Sequence, residues 1–382
     1  MNTPKFSPLK SKLASAAPLI AIAVMASRSA IAQPDFNQTN LITNNPSVNP
    51  AQITDPNLVN AWGISYSPTS PFWISDNGAG VATLYSVNPA TDVTAKVALT
   101  VSIPGDGSVT GQVFNGNSAD FGGDKFIFAN EDGTISGWNG GTSAQVLQAG
   151  GGGNVYKGIT EATLASGNSY LYAANFGTGA IDVIKGSASA PSLTGNFTDP
   201  NLPSGYSPFN VQNINGDIFV TYAQHTPGSI DEVDGLGKGF VDEFDAQGNF
   251  LGRIGSGGAL DAPWGLAIAP SSFGAYAGDL LVGNFGSGAI DIFSLTGNYI
   301  GQLSGVNGQP LIIDGLWGLS VGNNGSAGNS QTLYFTAGPE GETNGLFGAI
   351  TPVPEPAIIW MFATALAGWR LFGGRKPLAA VV

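Results

Sequence analysis

Cysteine is absent from the 382 residues, histidine occurs once, and charged residues make up only 10% of the chain. No disulfide can staple the fold, and no thiolate can serve as a nucleophile or metal ligand. A single histidine excludes the His-rich zinc sites. Basic residues are scarce as well, 13 Lys and Arg against 26 Asp and Glu. Seven of the 13 lie near the two ends, so residues 33–352 hold six basic and 25 acidic residues, a net charge near −19. That balance excludes nucleic acid as a partner, because phosphate recognition needs clustered Lys and Arg. No G-x-S-x-G elbow, phosphate loop or dinucleotide fingerprint occurs in a suitable strand-to-helix context.

The two ends carry what the middle lacks. Lys5, Lys10 and Lys12 precede an apolar run from Leu13 to Ala26, which closes on Ala30-Ile31-Ala32. A basic start, a short apolar run and a small-residue cleavage site predict a signal peptide over 1–32, with Gln33 left first after signal peptidase. The run is shorter than the roughly 20 residues a membrane span needs. At the other end Val353-Pro354-Glu355-Pro356 leads into the apolar segment Ala357 to Trp369, closed by Arg370, Arg375 and Lys376. The prolines end the preceding fold, and the basic cluster stays cytoplasmic under the positive-inside rule, which predicts a transmembrane helix within 353–376 and a short tail over 377–382. The span is short, and Arg370 has to snorkel towards the interface. Pro354, Glu355 and Pro356, followed by a span and a basic tail, resemble the PEP-CTERM sorting signal of bacteria. That resemblance implies an exosortase-type enzyme as partner, a transient membrane anchor, and delivery to the cell surface or extracellular matrix. A simple tail anchor is the alternative reading of the same residues.

Between the ends the chain is rich in glycine, 56 residues, yet 42% hydrophobic, which argues for an ordered fold of short strands and tight turns. It also repeats. Ala61-Trp62-Gly63-Ile64-Ser65 recurs as Pro263-Trp264-Gly265-Leu266-Ala267 and as Leu316-Trp317-Gly318-Leu319-Ser320. Weaker copies stand at Gly111-Gln112-Val113-Phe114, Tyr156-Lys157-Gly158-Ile159 and Pro208-Phe209-Asn210-Val211. Neighbouring copies are about fifty residues apart, the length of a four-stranded propeller blade. After each copy an apolar run ends in a Gly-rich turn, as in Leu171-Tyr172-Ala173-Ala174-Asn175 and Leu280-Leu281-Val282-Gly283-Asn284. Alternating apolar runs bounded by such turns are antiparallel strands. Six copies predict an all-β fold, a six-bladed β-propeller over 33–352. The last blade runs out after three strands, so an early segment such as Asn40-Leu41-Ile42-Thr43 is expected to supply its outer strand. Radial closure needs no disulfide.

The blade pattern resembles the NHL and gluconolactonase-type six-bladed propellers. More closely, Thr54 to Gly63, Glu131-Asp132-Gly133-Thr134-Ile135-Ser136-Gly137-Trp138, Ala262 to Leu266, Leu280 to Gly286 and Asp314 to Leu319 resemble a family of uncharacterised exported bacterial propellers that carry the PEP-CTERM tail. The likeness implies a fold and an address, and no activity.

Polar residues end the second apolar run in four blades: Asp76, Asn130, Asn175 and Asn284. With Glu131 they offer oxygen ligands for a hard cation such as Ca²⁺. In the lactonase-type propellers a similar ring holds a divalent metal that polarises an ester carbonyl. An Asn before a Gly-rich turn also serves turn geometry, the favoured reading. A second acidic feature, Asp231, Glu232 and Asp234, lies in the long insertion from Gln224 to Gly239. Long loops are often functional, but this spacing is not that of an EF-hand, so a solvated loop is favoured over a chelating one. His225, which starts the insertion, reads as a surface residue in preference to a general base. Trp62, Trp264 and Trp317 share one repeat position and read as core packing in preference to a sugar-stacking platform. These signs favour a non-enzymatic surface or matrix propeller that binds an extracellular polysaccharide or a surface protein. A metal-dependent lactonase or ester hydrolase and a purely structural propeller are the alternatives.

Overall fold

The computed structural model describes residues 33–354. The expected signal peptide with Ala30 and Ala32, the Glu355 and Pro356 of the sorting motif, and the apolar tail lie outside the described residues. Among the described residues no helix is long and apolar enough to cross a membrane.

The strands form six sheets, antiparallel apart from two short parallel pairings on the closing strand of the last, each built outward from one copy of the repeat. Blade 1 runs Ala61–Ser65, Phe72–Asp76, Val81–Val87 and Thr94–Ser102. Blade 2 runs Val109–Phe114, Phe126–Asn130, Ile135–Trp138 and Gln145–Gln148. Blade 3 has three strands, Tyr156–Thr163, Ser169–Asn175 and Ala180–Lys185. Blade 4 runs Tyr206–Ile214, Asp217–His225, Gly239–Phe244 and Phe250–Ser256. Blade 5 runs Pro263–Ile268, Leu280–Asn284, Ile290–Phe293 and Tyr299–Gln302. Blade 6 takes Leu316–Val321, Leu333–Ala337 and Leu346–Pro352 from late in the chain. Its fourth strand is Asp35–Thr43, antiparallel to Leu346–Pro352 from Phe36↔Pro352 to Thr43↔Leu346. The closing strand is longer than Asn40 to Thr43, and it ties the two ends of the propeller together.

Burial explains the composition of each strand. The second strands of blades 1, 2, 3, 5 and 6 are buried at every position, since a neighbouring blade covers each face. They therefore read as continuous apolar runs. The outermost Gln145–Gln148 and Tyr299–Gln302 are largely exposed and polar or mixed.

The repeated glycine has a steric cause. A Cβ on Gly63 would meet Thr110 O at 2.5 Å, one on Gly111 the Ile159 N at 2.7 Å, and one on Gly158 the Asn210 Cα at 2.9 Å. On the other side of the ring, a Cβ on Gly265 would meet Trp317 O at 2.5 Å and one on Gly318 the Trp62 O at 3.0 Å. Inner strands thus approach closest where the motif has no side chain. Blade 4 carries Asn210 there instead, and its Nδ2 donates to Trp264 O at 2.7 Å. Six inner strands close at the radius this one position permits.

Candidate functional site

The residue before that glycine points to the axis. Around the ring the position reads Trp62, Thr110, Lys157, Phe209, Trp264 and Trp317, all buried. Trp62 stacks on Trp317 at 3.6 Å, Phe285 stacks on its other side at 4.0 Å, and Trp264 meets Trp317 edge-on. The tryptophans are a plug within the channel, so the packing reading holds and the stacking platform does not. Trp264 Nε1 donates to Lys157 O, and Trp317 Nε1 donates to Asn60 Oδ1, which holds two of the rings in register.

Lys157 is the exception in this ring. Only 1% exposed, it sets its ammonium 5.1 Å from the Trp62 ring centre and 5.9 Å from that of Phe176. Its ion-pair partner is Glu131, whose Oε2 accepts from Asn77 Nδ2 at 3.3 Å. Asn77 Oδ1 accepts from Asn60 Nδ2, which also donates to Glu342 Oε2. A cation over aromatic faces with a carboxylate partner is stabilised from both sides. The repeat copy Tyr156-Lys157-Gly158-Ile159 displays this residue in the sequence; a charge aligned with tryptophan is the signal that marks it.

The expected oxygen ring does not gather at one point. Asn175 Oδ1 accepts from Val155 N, and its Nδ2 donates to Asn154 and Asp182. Asn284 repeats the arrangement with Asp261 N and Asp291. Asn130 donates to Pro104 O, while Asp76 is fully buried with neither oxygen hydrogen-bonded. Each of these side chains fastens a hairpin or lies inside its own blade, and they share no partner. Glu131 alone reaches the axis. Among the described residues no three acidic or histidine side chains stand close enough to hold a metal ion. An axial cation would have to displace the Lys157 side chain.

The acidic insertion comes to the same mouth. Glu232–Val233 folds back as a short strand on Gln224 and His225, making the loop a flap. Burial pushes the Glu232 carboxyl up to about 7; the Lys157 charge holds it down while Asp234 and Glu342 push it further up. Burial also raises Glu342, against the Asn60 hydrogen bond and Lys157. Asp231 is exposed, and Asp234 offers its backbone carbonyl to Lys238 Nζ. The reading of a freely solvated loop is therefore corrected at Glu232, which paired strands and a long-range charge hold over the axis. His225 is corrected too. Its ring lies 4.4 Å from Phe176, Nε2 donates to Ser229 O, and Nδ1 bonds Ser207 Oγ. Both nitrogens are engaged, so it is a clasp for the flap.

The opposite end of the channel is open. Two residues past the motif's glycine, Ser65, Val113, Thr160, Gln212 and Ser320 line a cavity of 290 Å³. Gln112, Asn213 and Glu161 join them. Gln112 Nε2 donates to Gly63 O and Trp73 O, and Asn213 Nδ2 donates to Glu161 O, so the wall is fixed by its own hydrogen bonds. Neutral amides and hydroxyls dominate it, beside the single carboxyl of Glu161, which burial raises.

No protein-family profile matches the chain. It is 30% identical over 325 residues to uncharacterized protein R648 of Acanthamoeba polyphaga mimivirus, covering 79% of this chain and 77% of that protein. Uncharacterized protein L690 of the same virus is 29% identical over 320 residues, covering 78% and 81%. Among solved structures, a streptogramin B lyase superposes with a TM-score of 0.43 at 13% identity, over 83% of this chain and 97% of that one. The periplasmic gluconolactonase of Pseudomonas aeruginosa gives 0.45 at 13% identity, over 77% and 87%. Overlap this loose says nothing of what this chain binds or transforms.

Proposed function

We propose that this chain, which belongs to the family of the uncharacterized mimivirus protein R648, is an exported, non-catalytic propeller that binds a neutral extracellular glycan at the open end of its channel. One observation carries the reading. The channel is plugged by stacked tryptophans and the Lys157 cluster at one mouth, whereas the other is a 290 Å³ cavity walled by pre-positioned amides and hydroxyls. Such groups match sugar hydroxyls, and a pre-ordered wall lowers the entropy cost of binding. Export and sorting to a bacterial surface or matrix, through signal peptidase and an exosortase-type enzyme, rest on the grammar of the two ends. The metal-dependent lactonase has no comparable support, because the axial position it needs is filled by the Lys157 chain.

The test is a glycan array probed with the protein, followed by titration calorimetry on any hit. Gln212→Ala and Asn213→Ala are expected to weaken binding about tenfold each, the value of one or two hydrogen bonds. An array without hits, or hits indifferent to both substitutions, removes the glycan reading and leaves a structural propeller.

A further inference from the structure

We propose that Lys157 becomes joined to Asn77 by an amide bond between their side chains, with Glu131 as the catalytic proton carrier. The parts of the reaction stand in one hydrogen-bonded line. Lys157 Nζ, the nucleophile, donates to Glu131 Oε1. Glu131 Oε2 accepts from Asn77 Nδ2 at 3.3 Å, the nitrogen that has to leave. Asn77 Oδ1 accepts from Asn60 Nδ2 at 3.2 Å, which polarises the carbonyl and stabilises negative charge on it. Trp317 Nε1 donates to Asn60 Oδ1 at 2.9 Å and so fixes which way the Asn60 amide faces.

The surroundings hold the reacting groups in place. Lys157 is 1% exposed, and the rings of Trp62 and Phe176 flank its ammonium. Before the amine can attack, one proton has to pass from Nζ to Glu131 Oε1, along the hydrogen bond that already joins them. A desolvated lysine amine is a competent nucleophile, and both reacting groups are already held on a single carboxyl.

The atoms balance without a co-reactant. The Nζ lone pair forms a bond to Asn77 Cγ while the carbonyl electron pair moves to Oδ1. That pair then returns, and the Cγ–Nδ2 bond breaks. Of the three protons on the starting ammonium, one stays on the new amide. The other two pass through Glu131 to the departing nitrogen, which leaves as ammonium, and Glu131 ends as the carboxylate it began as. The product joins the inner strand of blade 3 to the hairpin of blade 1 across blade 2, a covalent brace in a chain without cysteine. The Lys157 chain still fills the axis afterwards.

The test is peptide mapping by mass spectrometry of the full chain, denatured and digested with trypsin. Trypsin does not cut after an acylated lysine, so the expected product is peptide 126–185 linked to the peptide ending at Lys96, their summed mass short by one ammonia. Recovery of all the protein as a free peptide 126–157 with unmodified Lys157 would overturn the proposal. So would peptide 126–185 unlinked and lighter by one water, which would mean a bond to Glu131 instead. Glu131→Gln keeps the side chain's shape but cannot carry the proton. It is expected to fold, by circular dichroism, and to yield unlinked peptides; a linked product from that variant would refute the role given to Glu131.

Discussion

Asp76 differs from its counterparts in blades 2, 3 and 5 by carrying a carboxyl where Asn130, Asn175 and Asn284 carry amides. Those amides are buried with every Nδ2 hydrogen-bonded, two of them donating to Asp182 and Asp291, whereas neither oxygen of Asp76 has a partner. Burial drives its pKa well above the ordinary carboxylate value; the adjacent Thr83 offsets part of this, and the nearby charge of Asp55 adds to it. A group whose folded-state pKa is raised binds more protons folded than unfolded, so it favours the fold below its unfolded pKa and loses that contribution as pH rises through the folded value. Glu232 and Asp242, both lifted to about 7 by burial, act in the same direction. Stability is therefore expected to fall from about pH 4 to pH 7. Asp76→Asn, which restores the residue of the other blades, is expected to gain about 0.5–2 kcal/mol at pH 7. That gain should shrink as pH falls and largely vanish below about pH 3, where Asp76 is protonated in both states. Urea midpoints of the two proteins at about pH 7 and pH 3 check this, and a gain of equal size at the lower pH would show that charge is not the cause.

Among the elements, the closing strand Asp35–Thr43 concentrates the most long-range structure. Phe36 is 1% exposed and packs on Phe273 at 4.6 Å and on Tyr276 at 6.4 Å, while Leu41 and Ile42 are fully buried in the core shared by blades 6 and 1. Phe36→Ala removes the anchor at the strand's start and is expected to cost about 3–5 kcal/mol, read as a lower urea midpoint with an unchanged slope. This strand was legible only as a need. The pattern shows blade 6 short of a strand, and Asn40 to Thr43 carries the apolar pair Leu41-Ile42 near the start of the propeller, but its true beginning at Asp35 depends on Phe36 finding Phe273. The flap was less legible still. Nothing in Asp231, Glu232 and Asp234 announces Lys157, because the pairing of Glu232 with His225 is a matter of how the chain returns.

At the scale of the whole molecule, the ring was readable because one short motif recurs, with its glycine at the closest approach in every blade but the fourth. The chemistry at the two mouths was not, since it depends on which copy departs from the motif, at Lys157, and on residues two places beyond it, from Ser65 to Ser320. The filled axis makes a prediction about metal. Adding Ca²⁺ or a chelator is expected to leave the thermal midpoint of the protein unmoved, while a rise with Ca²⁺ would mean that the native state holds an ion. The closing strand also sets an order in time. It is among the first parts of the propeller to be synthesised and its partner Leu346–Pro352 is the last, so the blades form an open arc until the chain is nearly whole. Through that interval Phe36, Leu41 and Ile42 lack their cover, and the vacant edge of blade 6 cannot tell its own strand from that of a second molecule. Crowded nascent chains would exchange strands and chains released singly would seal themselves, so the concentration at which the protein is made decides between linked pairs and closed rings.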